Sequence, residues 1–546
     1  MRQLHTKAKM KMRFLCQLNL LVLLLHQYLA MEEPEQQDVK MIYSNSVLSM
    51  VKLLEMEDAL KDNLASYVKA MQTKLDDLKL FQQLLQRKTM TSLEEREEFM
   101  GNPLNAFPLL RRLNEDWPKW LNYLQTPIAS KSTNAMEQRL KLSPSNEDLQ
   151  VALKGFARIE SFYDQEAADL AKGYLLGQHF DSELTAPDCF ALAEFYCNQT
   201  KFSRATPWYR MALRLHQNSE GKLHQKVLEL KRKRIYKKYA KALIMQAFYS
   251  AMPNQVNPEW DKMASQVVVE NNYASIKNAI DEYLAGDEVI LRQEAAQHKP
   301  KPSRLERGCR GKWPRLSSAQ LACRYNRENS AFLRLAPLKM EVLNERPLIV
   351  LYHEVLYESE LKSIRDMANN NDTMTDVWTH RHFNQPIMPT REDRVAKLHV
   401  FPGIDESFSL SINRRIAHMT GLELQGNTAL HLSNYGLGGY FNAHEDYVDL
   451  ARRPANYFTE WGGDVLATVL LYVSDVRMGG ANVFPKLKIS VAPKKGNALI
   501  WHNLNNAGNP EKLSSHAVCP VVMGSRWTIY KWINEQQQML KRPCLA

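Results

Sequence analysis

The stretch Asn434-Tyr435-Gly436-Leu437-Gly438-Gly439-Tyr440-Phe441-Asn442-Ala443-His444-Glu445-Asp446 runs from a strand-like segment through a glycine-rich turn and ends on an imidazole and a carboxylate two residues apart. Alternate residues of an extended strand point the same way, so His444 and Asp446 can address one ion. Around this stretch the chain reads as a series of short strands, at 348–352, 396–401, 429–435, 467–472, 489–492, 498–501 and 527–532, with glycine-rich turns between many of them. That pattern implies an antiparallel barrel or jelly roll whose domain begins near Leu335.

A third ligand must come from elsewhere, and His516 in Ser514-Ser515-His516-Ala517-Val518 completes a set of two histidines and one carboxylate. Such a set covers one face of iron and leaves positions for a chelating cosubstrate and dioxygen, unlike a closed structural zinc site. Zinc hydrolysis is the chemical alternative, although no obvious general base accompanies the ligands. A bare His-x-Asp also occurs on ordinary surfaces, so context matters. Arg526, on the strand-like segment after His516, offers a guanidinium fork to a dicarboxylate, and Tyr435 precedes the first histidine on another predicted strand. Without a ligand, Arg526 reads as an ordinary surface arginine.

The rest of the chain reads as helix. It has 546 residues, 45% hydrophobic and 24% charged, which excludes wholesale disorder and a multispanning membrane protein. The formal charge of +11 is a small excess of 71 basic over 60 acidic residues spread throughout. Basic residues Arg2 to Arg13 precede an apolar run at 14–25, then small Ala30 and acidic Glu32 and Glu33, which reads as a secretory signal and not a membrane span. Leu64, Val68, Met71, Leu75 and Leu78 repeat at coiled-coil spacing, which self-association or an internal helical hairpin would equally produce. Asn102-Pro103 and Pro108 are expected to break that helix before Trp117, Trp120 and Tyr123. Further helices are expected at 147–159, 164–176, 187–197 and 207–216, the third opened by a Thr185/Asp188 capping box and the fourth by Pro207 in its first turn. Tyr163, Tyr174, Tyr196, Trp208 and Tyr209 fit either slots for a proline-rich peptide or core. The basic amphipathic helix at 222–241 fits a solvated face better than nucleic-acid binding. The stretch 297–314 reads as a linker, in which Cys309 and Cys323 permit a local bridge, as do Cys519 and Cys544 at the end of the chain. Cys189 and Cys197 read as free thiols, and Asn198 and Asn371 as glycosylation acceptors if the chain is secreted.

The segments Asn434 to Tyr440, His444-Glu445-Asp446, Tyr472-Val473-Ser474-Asp475-Val476, Gly479-Gly480-Ala481-Asn482-Val483-Phe484-Pro485, Pro493-Lys494-Lys495-Gly496, His516-Ala517-Val518-Cys519-Pro520 and Arg542-Pro543-Cys544 resemble, in order, the α subunits of collagen prolyl 4-hydroxylase. Asn102-Pro103-Leu104-Asn105-Ala106-Phe107 and Leu184-Thr185-Ala186-Pro187-Asp188-Cys189-Phe190 extend a weaker likeness toward the N-terminus. The resemblance implies a multidomain α plus β chain: a signal peptide at 1–30, a helical dimerisation unit at 31–140, and a TPR-like helical-repeat domain at 141–255 that binds peptide. A linker at 256–334 and a double-stranded β-helix (jelly roll) dioxygenase domain at 335–546 complete it. It further implies Fe(II), 2-oxoglutarate, dioxygen and L-ascorbate, with His444, Asp446 and His516 as metal ligands and Arg526 and Tyr435 at the cosubstrate. The product is 4-hydroxyproline in collagen-like peptide, made in the endoplasmic reticulum lumen. Protein disulfide isomerase is implied as the β subunit of an α2β2 heterotetramer, retaining a chain that has no lumenal retention tail.

Two departures stand out. Arg526 occupies the position at which the collagen enzymes carry a lysine, which keeps the charge and changes the geometry. Phe202 and Ser203 stand where the family carries paired tyrosines, and the following helix is unusually basic. A noncatalytic peptide-binding or assembly relative is therefore the alternative reading.

Overall fold

The strands of the C-terminal half run from two to nine residues, and the central ones are buried on both faces, so their order is decided by which side chains close two separate cores. The computed structural model describes residues 42–86, 89–216, 230–252, 255, 257–285, 301–313, 322–370, 375–376, 395–401, 407–424, 429–448, 463–539 and 541. The segment expected to be a signal, Asn371, Cys544 and the first part of the basic stretch lie outside them. Strands β1 (Cys323–Asn326), β2 (Leu338–Glu345), β3 (Leu348–His353), β4 (Thr375–Asp376), β5 (Lys397–Phe401), β6 (Leu430–Tyr435), β7 (Phe441–His444), β8 (Val465–Tyr472), β9 (Asn482–Phe484), β10 (Ile489–Val491), β11 (Ala498–His502), β12 (His516–Val518) and β13 (Arg526–Asn534) form two antiparallel sheets. The larger has nine strands in the order β1-β2-β3-β11-β8-β13-β6-β5-β4, and the smaller has four in the order β10-β9-β12-β7.

The period of two divides each central strand between the cores. Leu470 and Tyr472 of β8 and Leu499 and Trp501 of β11 face Phe484, Ile489 and Val491 of the small sheet. Val469, Leu471 and Ile500 face the other way, onto Leu361 and Ile364 of helix Glu358–Asn370 and onto Ile412 and Ile416 of helix Ser407–Thr420. This is the expected jelly-roll arrangement, with helices covering the outer face of the large sheet.

In the N-terminal half, α1 (Val47–Leu84) is capped by Ser46 and packs Phe81 on Trp120 of a later helix, ring centroids 4.1 Å apart. Its stripe Leu64, Val68, Met71 and Leu75 stays 45–56% exposed, so no internal hairpin among the described residues covers it. Pro103 begins a new helix, as expected, whereas Pro108 sits inside it and does not break it. Next come α2 (Asn146–Tyr163), α3 (Ala186–Asn198), α4 (Phe202–Leu215), α5 (Arg232–Ala251), α6 (Glu259–Glu270) and α7 (Tyr273–Leu284). The helix expected at 164–176 is only Ala167–Ala171 followed by a hairpin, Tyr174–Leu175 with Gln178–His179. Asp164, Gly173 and Gly177 explain this, because all three adopt positive φ (57°, 80° and 79°), which ends one helix and prevents the next from extending. The Thr185/Asp188 capping box forms as read. Pro207 does not open α4, which begins at Phe202 because Phe202 itself is core, packed on Tyr249 at 5.2 Å.

Of the five aromatics considered as peptide slots, Tyr163, Tyr196, Trp208 and Tyr209 are buried core and only Tyr174 is exposed. Glu160 of α2 accepts hydrogen bonds from Tyr196 (2.7 Å), Trp208 Nε1 (3.0 Å) and Arg204 (3.1 Å), tying α2 to α3 and α4. Its burial raises the carboxyl pKa against the pull of Arg204. Cys189 is buried and pushed up to about 12, an inert thiol as expected. Among the described residues no helix is long and apolar enough to cross a membrane.

The expected Cys309–Cys323 bridge does not form, and the described structure joins Cys309 to Cys519. Arg310 donates to the carbonyls of Phe162 (2.5 Å) and Ser161 (2.9 Å) at the end of α2, which brings the short helix Arg304–Cys309 against Val483 and Ala517 of the small sheet. Cys323 is left as an exposed thiol on β1.

Glycines seat α2 and the chain before α1 on the turn between β6 and β7. Leu437 N donates to Ser44 O (3.1 Å), and Arg158 Nη1 to Gly438 O (2.6 Å), with its guanidinium 4.0 Å from the Tyr440 ring centre. A Cβ on Gly155 would lie 2.2 Å from Leu437 O. Alanine at Gly155 should therefore lower stability by about 1–3 kcal/mol through overpacking, although alanine is the better helix former. Gly101→Ala, with nothing within 4 Å, is the control. Thermal unfolding of the two variants is the measurement, and equal Tm values would show that the seam is slack.

Candidate metal centre

The small sheet brings two distant histidines together, because His516 of β12 is the direct cross-strand partner of His444 at the end of β7. Asp446 lies two residues beyond that strand, in a bend, so the carboxylate arrives by a turn of the chain and not by strand alternation as expected. His444 Nε2 is 3.7 Å from one Asp446 oxygen and His516 Nε2 is 3.7 Å from the other. One ligand atom from each of the three residues lies within 4.8 Å of the others.

Backbone carbonyls fix both rings. Nδ1 of His444 pairs with Asn442 O at 2.7 Å, and Nδ1 of His516 with Ser514 O at 3.0 Å. Donation from Nδ1 leaves each Nε2 lone pair directed to the shared centre, the tautomer a metal requires. Thr468 of β8 donates its hydroxyl to Asp446 Oδ2 (2.7 Å) and accepts from Asn503 Nδ2 (2.9 Å), which orients the carboxylate. Asp464 takes the Val448 N–H (3.1 Å), which fixes the chain just past Asp446. Phe441 stacks on His444 at 3.6 Å, and Trp501 lies 4.5 Å from His516.

The surface-arginine reading of Arg526 fails, since the side chain is completely buried. Its Nε donates to Gly480 O (3.0 Å), Nη2 to Asn482 Oδ1 (2.7 Å) and Nη1 to Thr528 Oγ1 (3.4 Å), and the guanidinium lies 4.5 Å from the Tyr435 ring centre. All three acceptors are neutral, and no carboxylate pairs with Arg526 among the described residues. Tyr435, Asn482 and Thr528 line one cavity with His444, Asp446 and His516. Trp501 also lines it, and its Nε1 is buried without an acceptor among the described residues.

These features fit an iron centre with an anionic cosubstrate: nitrogen and oxygen donors on one side, a buried cation lacking an anion, and an unused N–H in the wall. Thr468, Asn482, Trp501 and Thr528 were not singled out from sequence. Thr468 and Thr528 each interrupt an apolar strand with a hydroxyl, a signal that was available.

Residues 46–177 match the family model for the prolyl 4-hydroxylase alpha-subunit N-terminal region, and residues 430–534 match that of the 2OG-Fe(II) oxygenase superfamily. Prolyl 4-hydroxylase subunit alpha-1 of Rattus norvegicus is 30% identical over 525 residues, covering 92% of this chain and 95% of its own. Subunit alpha-2 of Caenorhabditis elegans is 29% identical over 498 residues, covering 88% of each. Among solved structures, the viral collagen prolyl hydroxylase of Paramecium Bursaria Chlorella virus-1 aligns with 34% of this chain and 94% of its own, at 18% identity and a TM-score of 0.28.

Thr468→Val keeps the shape of the side chain and removes the hydrogen bond to Asp446. Metal affinity should fall about 10–100-fold, the usual cost of losing an outer partner of a ligand. Anaerobic titration with Fe(II) or Co(II) measures it, and an unchanged dissociation constant would show that Asp446 needs no orientation.

Proposed function

The chain belongs to the prolyl 4-hydroxylase α-subunit family, and we propose that it hydroxylates proline in collagen-like peptides at the centre formed by His444, Asp446 and His516. It is a 2-oxoglutarate- and iron(II)-dependent dioxygenase, and ascorbate is typical of its family. Bound iron supplies activation of dioxygen coupled to decarboxylation of 2-oxoglutarate.

The observation that carries the reading of the site is the buried, anion-free Arg526 in contact with residues that line the same cavity as the ligands. An unpaired cation at 0% exposure is costly, and the distal carboxylate of 2-oxoglutarate would relieve it through a charge-assisted pair. Tyr435 holds the plane of the guanidinium, while Thr528 and Asn482 fix its ends. The two anchored imidazoles and the Thr468-braced carboxylate hold the metal, and Phe441, Leu470 and Trp501 keep the surrounding wall apolar.

The remaining assignments belong to the same proposal. The exposed α1 stripe is a dimerisation face within 31–140, and α2 to α5 form the TPR-like peptide domain within 141–255. The linker at 256–334 leads into the dioxygenase domain at 335–546. The mature chain begins near Met31, works in the endoplasmic reticulum lumen with protein disulfide isomerase in an α2β2 assembly, and carries glycan at Asn198, which is exposed at the end of α3. The lysine-to-arginine change at 526 favours a second reading, a peptide-binding subunit without turnover.

Peptide-dependent succinate release after anaerobic iron reconstitution separates the two readings. Turnover is expected in the native chain, and its loss in His444→Ala, Asp446→Ala or His516→Ala. Arg526→Ala should raise the 2-oxoglutarate requirement by roughly one and a half to three and a half decades, from the loss of a pair costing about 2–5 kcal/mol to truncate. Arg526→Lys should recover little, because the three acceptors are spaced for a fork. An active Arg526→Ala enzyme with an unaltered cosubstrate titration would mean that another cation serves the pocket.

A further inference from the structure

Six cations line one side of a cleft between α5 and α6: Lys231, Lys233, Arg234, Lys237, Lys238 and Lys241. On a helix, residues 231, 234, 238 and 241 fall in one row, with 233 and 237 beside it. Lys238 is paired with Glu194 and Lys241 with Asp261, each at 2.7 Å. The other four have no carboxylate partner among the described residues. Lys233 and Arg234 rest on aromatic faces, 5.7 Å from the Tyr273 ring centre and 5.3 Å from that of Phe190, which gives the charges defined positions. The cluster also begins the helix. Lys231 is the N-cap residue and makes no capping hydrogen bond, and the first turn holds no acid. Cations are unfavourable at the positive end of a helix dipole, so this arrangement works against the local stability of α5 and favours a bound anion.

The opposite wall is α6, where Val268 and Val269 line the cleft and Val269 is 76% exposed. An apolar strip opposite a cationic row suits a peptide that carries both side-chain types. The Glu194 and Asp261 carboxylates at the edge of the row oppose a continuous polyphosphate, whereas a peptide can space its own carboxylates away from them. From Lys231 to Lys241 the helix rises about 15 Å, the length of about five residues of polyproline II chain at roughly 3.1 Å each.

We propose that this cleft binds an acidic stretch of the proline-containing substrate, about five residues long, so that the chain prefers substrates that carry carboxylates. The proposal rests on the peptide-hydroxylase reading above, but binding can be measured apart from turnover.

The test uses the full chain in its native assembly and three labelled proline-glycine repeat peptides, identical except for Glu, Gln or Lys at alternate positions. Fluorescence anisotropy at low salt should show the Glu peptide binding about tenfold tighter than the Gln peptide, a preference of the size that two exposed ion pairs supply and one that shrinks as salt rises. The double variant Lys233→Gln/Lys237→Gln should bring that ratio close to one. Val269→Glu, on the other wall, should do the same and guards against a folding defect in the first variant. Equal binding of the Glu and Gln peptides by the native chain overturns the proposal. So does a single-stranded oligonucleotide of matched charge that binds more tightly than the Glu peptide and is lost in the same variants. Succinate release is scored separately: a Glu preference without turnover supports the cleft and sinks the hydroxylase reading, while turnover without a preference does the reverse.

Discussion

The pairing of His516 with His444 across the small sheet is the constraint on which the catalytic half depends. It requires that β12 return beside β7, while in the large sheet β8 and β13 lie side by side. Asp446 and Thr468 then meet because β8 runs behind the bend that follows β7. Arg526 is carried into the interior by the first residue of β13, which pairs with Tyr435 at the last residue of β6. Two registers, one in each sheet, therefore set the histidine pair and the cation, and a slip of one residue in β13 would turn Arg526 to the opposite face.

The strands and the nearness of His444 to Asp446 were legible because they depend on local signals: alternation, glycine turns and the His-x-Asp spacing. The route of Asp446 was not, because the strand ends at His444, two residues short of the carboxylate, a matter of backbone pairing that side-chain pattern does not report. The burial of Arg526 was not legible, since only the folded sheet shows that Tyr435, Asn482 and Thr528 surround it. The helix expected at 164–176 failed for a reason present in the sequence, the two glycines at 173 and 177. The bridge from Cys309 to Cys519 spans 210 residues and follows from Arg310 binding the end of α2, which no spacing rule anticipates. Aromatics at helical spacing proved to be core in four cases of five, and two of the four, Tyr196 and Trp208, are drawn into the interior as hydrogen-bond donors to Glu160.

The helical half is also less separate from the catalytic half than its sequence suggests. The glycine-rich turn that leads to the metal ligands is covered by α2 on one side and by residues 44–46 on the other, where a Cβ on Gly436 would meet Ser44 O at 2.0 Å. Asp148 anchors that N-terminal segment by accepting from the backbone N–H groups of Tyr43 (2.9 Å) and Ser44 (3.0 Å).

The bond from Ser46 Oγ to Asn434 Oδ1, 2.6 Å long across a separation of 388 residues, carries a consequence for the order of events in synthesis. A chain made from its N-terminus exposes α1 long before the strand that holds its first turn exists, and contacts between distant residues close late. Helix α1 is thus complete while its anchor is still unmade, so its N-cap residue meets its final partner only after Asn434 has been made. The first turn of α1 and the strand that leads toward His444 are therefore fixed in the same late step.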